Sequence, residues 1–368
     1  MKAIMRYISK LLIGVTIVCG GFFSLLPAES FPPTFVLGTY GTGIVFTEGS
    51  SAVDTVGGVE INGLMGWRKP LSSGGYVAIN SSIGITGYFI GTQDIEDEET
   101  GTVEVSIPAG IDRVKIDTGI TSSILGTGGY SRYYRPDWEV EYRFQRGRRK
   151  IQPYGAYQGH LLIQPDDNED AFFQGGKIGF SYRPSIRHGY ELSAGGGWEN
   201  WFEYPLYDAG GSTTGETRHD YIMNLEGKTD GLIGYFADWD FATTVTLRFS
   251  NANRYLESLA VLDENSESRL GITMEGGVGW SPTRRINLQI GPYAARDHYF
   301  EREALNEDGS LSGDKLRIFT IGSMFRADWT ADDRWYIVAK GSGARKYAND
   351  VAETGWNIAL KGGMEYGF

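Results

Sequence analysis

The chain has 368 residues, a formal net charge of −12, 52 glycines, 22 tyrosines and one cysteine. Such an acidic balance disfavours nucleic-acid binding, which needs basic patches to displace counterions from phosphates. So much glycine argues against a helical soluble enzyme, and one cysteine excludes a disulfide framework within the chain.

Lys2, Arg6 and Lys10 make a basic start, and an apolar run from Leu11 to Leu26 follows, broken mainly by small residues. Pro27-Ala28-Glu29-Ser30 then supplies the small-x-small pattern that signal peptidase admits. Residues 1–30 therefore read as a cleaved export signal with the cut after Ser30; an uncleaved membrane anchor is the alternative. Cys19 lies inside this segment behind Val18, a poor setting for lipidation. Loss of Lys2, Arg6, Lys10 and Glu29 takes the net charge from −12 to −14. Residues 31–368 are left for one large β domain.

That remainder has no apolar run long enough for a membrane helix. The other way to span a bilayer is a closed barrel, whose mark is period-two alternation over about ten residues. From Trp239, one face reads Trp239, Phe241, Thr243, Val245, Leu247, Phe249 and the other Asp240, Ala242, Thr244, Thr246, Arg248, Ser250. Trp138, Val140, Tyr142 and Phe144 alternate with polar residues, as do Leu270, Ile272, Met274, Val278 and Trp280. Short turns at 69–73, 146–150, 184–187, 282–285 and 331–334 alternate with longer polar segments at 92–101, 164–170, 204–217, 254–266, 301–314 and 348–353. Short periplasmic turns opposite long external loops are expected of outer-membrane barrels.

Strands are expected at 34–47, 56–67, 75–90, 135–146, 150–163, 171–183, 189–202, 219–233, 238–252, 268–281, 285–299, 315–329, 335–347 and 355–368. These make fourteen; 102–109 and 112–125 raise the count to sixteen, the favoured number, because Val114, Ile116, Ile120 and Ile124 share a face. The fold class is an all-β, antiparallel, up-and-down transmembrane barrel. The 92–134 region is the candidate for a loop folded into the lumen.

In the last segment Trp356, Ile358, Leu360, Gly362, Met364, Tyr366 and Phe368 share one face, and the chain stops on the aromatic. This resembles the C-terminal assembly signal of bacterial outer-membrane β-barrel proteins, with no subfamily distinguished. The resemblance implies a Gram-negative-type outer membrane and, as partners, its lipid, periplasmic chaperones and the barrel-assembly machinery, which reads the strand by β-augmentation. A homo-oligomer is compatible with it.

No site of chemistry stands out. His160, His188, His219 and His298 are scattered, without metal-ligand spacing. His298 beside Asp297 is the one place where a hydrolase dyad could sit. Asp166, Asn168 and Asp170 match the first ligand positions of a calcium loop, but the required glycine is absent and Lys177 stands where the closing glutamate should be. No cofactor, metal or catalytic residue is expected. The expected lumen face carries Glu60, Arg113, Lys115, Asp117, Glu139, Glu141, Arg143, Lys177, Arg183, Glu191, Asp240, Arg248, Arg269, Glu275, Lys361 and Glu365. Charges of both signs around a wet pore set selectivity. The reading is a porin-like channel for passive diffusion of small hydrophilic solutes. The alternatives are a surface-interaction barrel whose acidic loops bind ions, envelope polymers or host molecules, and a barrel hydrolase.

Overall fold

The computed structural model describes residues 34–48, 52–72, 74–90, 95–109, 112–124, 132–144, 150–165, 170–185, 187–202, 204–256, 259, 261–306, 309–332, 334–350 and 353–367, with backbone alone for 34–58, 88–90, 95–96 and 367. The export signal, the calcium-like run at 166–169 and Phe368 lie outside the described residues.

Among the described residues the regular structure is β. The strands are β1 Thr34–Glu48, β2 Ala52–Pro70, β3 Tyr76–Ile90, β4 Ile95–Ala109, β5 Asp112–Ser123, β6 Tyr133–Arg143, β7 Ile151–Leu162, β8 Ala171–Ser185 and β9 His188–Trp201. They continue with β10 Arg218–Ile233, β11 Ala237–Ser250, β12 Arg254–Leu256, β13 Val261–Asp263, β14 Arg269–Thr283, β15 Ile286–Leu305, β16 Leu311–Thr330, β17 Trp335–Ala348 and β18 Gly355–Gly367. Every long strand pairs antiparallel with its neighbours in sequence, β12 and β13 excepted, and β1 pairs with both β2 and β18, so the sheet returns on itself as a barrel. The β12–β13 hairpin stands apart, inside the connection between β11 and β14.

The alternation explains this closure. Leu225 (50% exposed), Phe241, Val278, Ile290, Ile358 and Leu360 show their side chains on the outer face. The charged residues between them point the other way, as period two dictates. An apolar outer band with a polar interior is the pattern of a bilayer-spanning barrel, inverted relative to a water-soluble sandwich.

Two segments expected as loops are largely strand instead. Strand β4 starts at Ile95, so 95–101 is wall and β4 and β5 run on either side of 110–111. The acidic run there is satisfied by hydroxyls and amides of the next strands. Ser123 Oγ and the Ile124 amide donate to Asp97 (2.9 and 2.8 Å), Ser122 Oγ donates to Glu99 (3.1 Å), and Tyr133 donates to Glu98 (3.2 Å). The described residues of the 92–134 region therefore form two wall strands and part of a third. Likewise β15 and β16 extend through most of 301–314. The apolar cluster Tyr299, Ala304, Leu316 and Ile318, with Ala348 against it, holds that extension to β17.

Candidate functional site: the charged interior and its mouth

Fifteen of the sixteen residues expected on the inner face enter polar contacts or line its cavity, Arg113 being the exception. Lys361 donates to Glu60, and Glu365 takes Arg326 (3.6 Å) and Lys340 (3.8 Å). Lys115 bridges Glu104 (3.3 Å) and Asp117 (3.0 Å). Lys177 holds Glu139 (3.1 Å), Arg143 forks onto Glu141 (2.8 and 3.0 Å), and Arg183 reaches Asp230 (3.2 Å). Tyr154 donates to Glu191 (2.8 Å), Arg248 lies between Glu199 (3.5 Å) and Asp220 (3.4 Å), and Arg269 donates to Tyr299 (2.8 Å).

Arg113, Asp240 and Glu275 behave differently: among the described residues no hydrogen bond or ion pair holds any of them. Arg113 stands opposite Arg143. Asp240 stands opposite Asp230, an unfavourable like-charge pairing, and Arg183 takes only Asp230. Glu275 lies within electrostatic reach of Lys228, which is itself bonded to Glu226 at 2.8 Å.

The sequence reading omitted several partners on the same face: Asp230, Asp238, Arg326, Asp328, Lys340, Glu199 and Asp220. The signal was available, since each has the parity of an inner-face residue already assigned on its strand or the next. Together they give the interior two unlike walls. On β16, β17 and β18, Arg326, Lys340 and Lys361 are successive cross-strand partners. Each has a carboxylate: Asp328 (2.7 Å) and Glu365 for Arg326, Glu365 for Lys340, and Glu60 for Lys361. On β11 and β14, Asp238, Asp240 and Glu275 have no such partner among the described residues. Gly279 and Gly277 stand opposite the two aspartates, and a Cβ at either would meet the aspartate carboxylate. The carboxylates thus lie over a floor of glycine. Both walls line one cavity of about 610 Å³.

At the end of the barrel bearing the longer connections, 202–217 and 251–268 are knitted together. The Arg218 guanidinium lies 4.7 Å from the rings of both Trp201 and Tyr204 and forks onto the fully buried Asp220. Asn253 donates to the Tyr207 carbonyl (2.7 Å) and accepts from its amide (2.8 Å). Arg254 closes the β12–β13 hairpin onto Asp263 (3.0 Å), and β13 touches β15. Burial pushes the Asp263 carboxyl above its ordinary range, although Arg254 pulls the other way. Burial also opposes ionisation of Glu353, but Lys346 and Arg302 outweigh it and hold that carboxyl below its usual range.

Asp297 and His298 do not form a dyad. They are successive strand residues and face opposite sides; Asp297 lies 3.6 Å from Arg269, whereas His298 packs edge-on against Phe300. His160 lies 3.6 Å from Glu199 and stacks on Phe173. Among the described residues no group of three or more histidine, cysteine or acidic side chains is placed to hold a metal ion.

No protein-family model and no curated protein matches the chain. Among solved structures it is similar to OccAB1 of Acinetobacter baumannii (TM-score 0.52, 9% identity, covering 91% of this chain and 97% of that one). It is also similar to a loop-deleted form of OmpT, an outer membrane protein of Vibrio cholerae (TM-score 0.44, 10% identity, 91% and 99% covered). The fold is that of the bacterial outer-membrane β-barrels.

Proposed function

We propose that the protein is an outer-membrane channel through which small hydrophilic solutes diffuse passively, with a preference for cations. The observation that carries this reading is the unequal compensation of the interior. The cations of β16–β18 each have a carboxylate, whereas Asp238, Asp240 and Glu275 on β11 and β14 are unmatched around the same cavity. An uncompensated negative field in a water-filled passage concentrates cations and repels anions. A sheet of this many strands is wide enough for such a passage, whereas eight strands would be filled by side chains. Transport here needs no covalent step, and selection rests on field and width.

The purified protein in a planar bilayer with a salt gradient tests this. Ohmic steps are expected, with a reversal potential of the sign given by cation preference. A folded protein without conductance or solute flux would sink the channel reading; conductance with anion preference would sink only the assignment of selectivity.

A further inference from the structure

Three arginines face outward at the rim of the apolar band, on neighbouring strands. Arg296 of β15 stands opposite Ile272 and Phe319, Arg317 of β16 opposite His298, and Arg345 of β17 opposite Ile321 and Trp356. Phe319, Ile321, Tyr347 and Trp356, on the same face, are more than 40% exposed, whereas Leu316 and Ile318, on the other face of β16, are buried. That alternation fixes Arg317 on the outside.

No carboxylate answers these charges: none of the three guanidiniums has an ion-pair partner among the described residues. The acidic residues that follow on β15, Glu301 and Glu303, belong to Lys315 (3.6 and 3.9 Å). Asp297 faces inward, 3.6 Å from Arg269. Arg345 is also held in place, with its guanidinium 4.5 Å from the Tyr347 ring and 4.7 Å from the Trp356 ring. Aromatic rings at this level are the residues that settle at a bilayer's headgroup boundary.

A guanidinium facing hydrocarbon is costly, whereas one at headgroup level meets phosphate, which its planar fork binds bidentately. Arg296 and Arg317 sit diagonally on adjacent strands, which puts their Cα atoms about 7–8 Å apart. Arg345 stands opposite Ile321, four residues along from Arg317, so the patch spans about 14 Å, enough for a headgroup with more than one phosphate.

We propose that Arg296, Arg317 and Arg345 form a binding surface for the phosphate groups of a membrane lipid lying against β15–β17, at the end of the barrel with the longer connections. This rests on the outer face being lipid-facing and not on conduction, so it stands or falls separately from the channel. The test uses the whole protein in dodecyl maltoside, mixed with bisphosphorylated lipid A, with the same lipid stripped of phosphate, or with inorganic phosphate. Native mass spectrometry counts retained lipid, and heat-modifiable gel mobility follows stability.

The bisphosphorylated lipid should be retained and should raise the unfolding temperature. Arg296→Gln and Arg317→Gln should each weaken retention by about fivefold, and the triple variant with Arg345→Gln by about a hundredfold. The two single changes remove exposed, unpaired side chains, so they test the surface even if the triple variant fails to fold. Arg187→Gln, in a turn at the other end, should retain lipid as the parent does. Equal retention of the stripped lipid, unchanged retention in the variants, or equal stabilisation by inorganic phosphate would overturn the proposal.

Discussion

The two walls of the interior are built from the same strand pattern yet handle charge in opposite ways. On β16–β18 long cations stand in a row and are each met by a carboxylate from their own strand, the next strand or the one beyond it. On β11 short aspartates lie over glycines of β14 and meet no cation among the described residues. Reach accounts for part of the difference. Lysine and arginine bring their charge to a partner across a strand, whereas an aspartate carboxylate stays close to its own backbone. A compensated row fixes geometry with little outward field; an uncompensated cluster leaves its field in the cavity.

Breaking the β11–β14 wall should have the largest effect. Replacing Asp238 and Asp240 with Asn and Glu275 with Gln should lower the cation-to-anion permeability ratio by roughly tenfold, read as a reversal potential moving toward zero. A smaller change should follow at the opposite wall. Lys361→Gln frees Glu60 and should raise the ratio by roughly twofold; an unchanged ratio would mean that the charged row does not face the ion path. The smallest effect belongs to Gly277→Ala. The new methyl must displace the Asp240 carboxylate, so single-channel conductance should change while the sign of selectivity is kept.

The wall itself was legible in the sequence because each bilayer-spanning strand carries its own alternation. Strand 238–252 reads almost residue for residue as β11. The acidic stretch 95–101 was not legible, because four consecutive acidic residues resemble a solvated loop. Pairing with β3 and β5 makes it a strand, and the hydroxyls of Ser122, Ser123 and Tyr133 with the Ile124 amide, more than twenty residues away, satisfy its carboxylates. Strand parity placed most of the charged interior, but it gives a direction and no partner. It could not separate Asp240, which is unmatched, from Glu139, which Lys177 holds. Nor could it place the β12–β13 hairpin, whose three-residue strands are too short to show a period.

The tip of the 202–217 connection has a practical use. Asp208 caps its own turn by accepting from the amides of Gly210 and Ser212, and Asp208, Ala209 and Gly210 are exposed. The stem below is fastened twice, through Tyr207 to Asn253 and through Tyr204 to Arg218. A foreign peptide spliced between Ala209 and Gly210 would enter at an exposed tip whose stem is fastened at two points, which makes this turn a suitable insertion site.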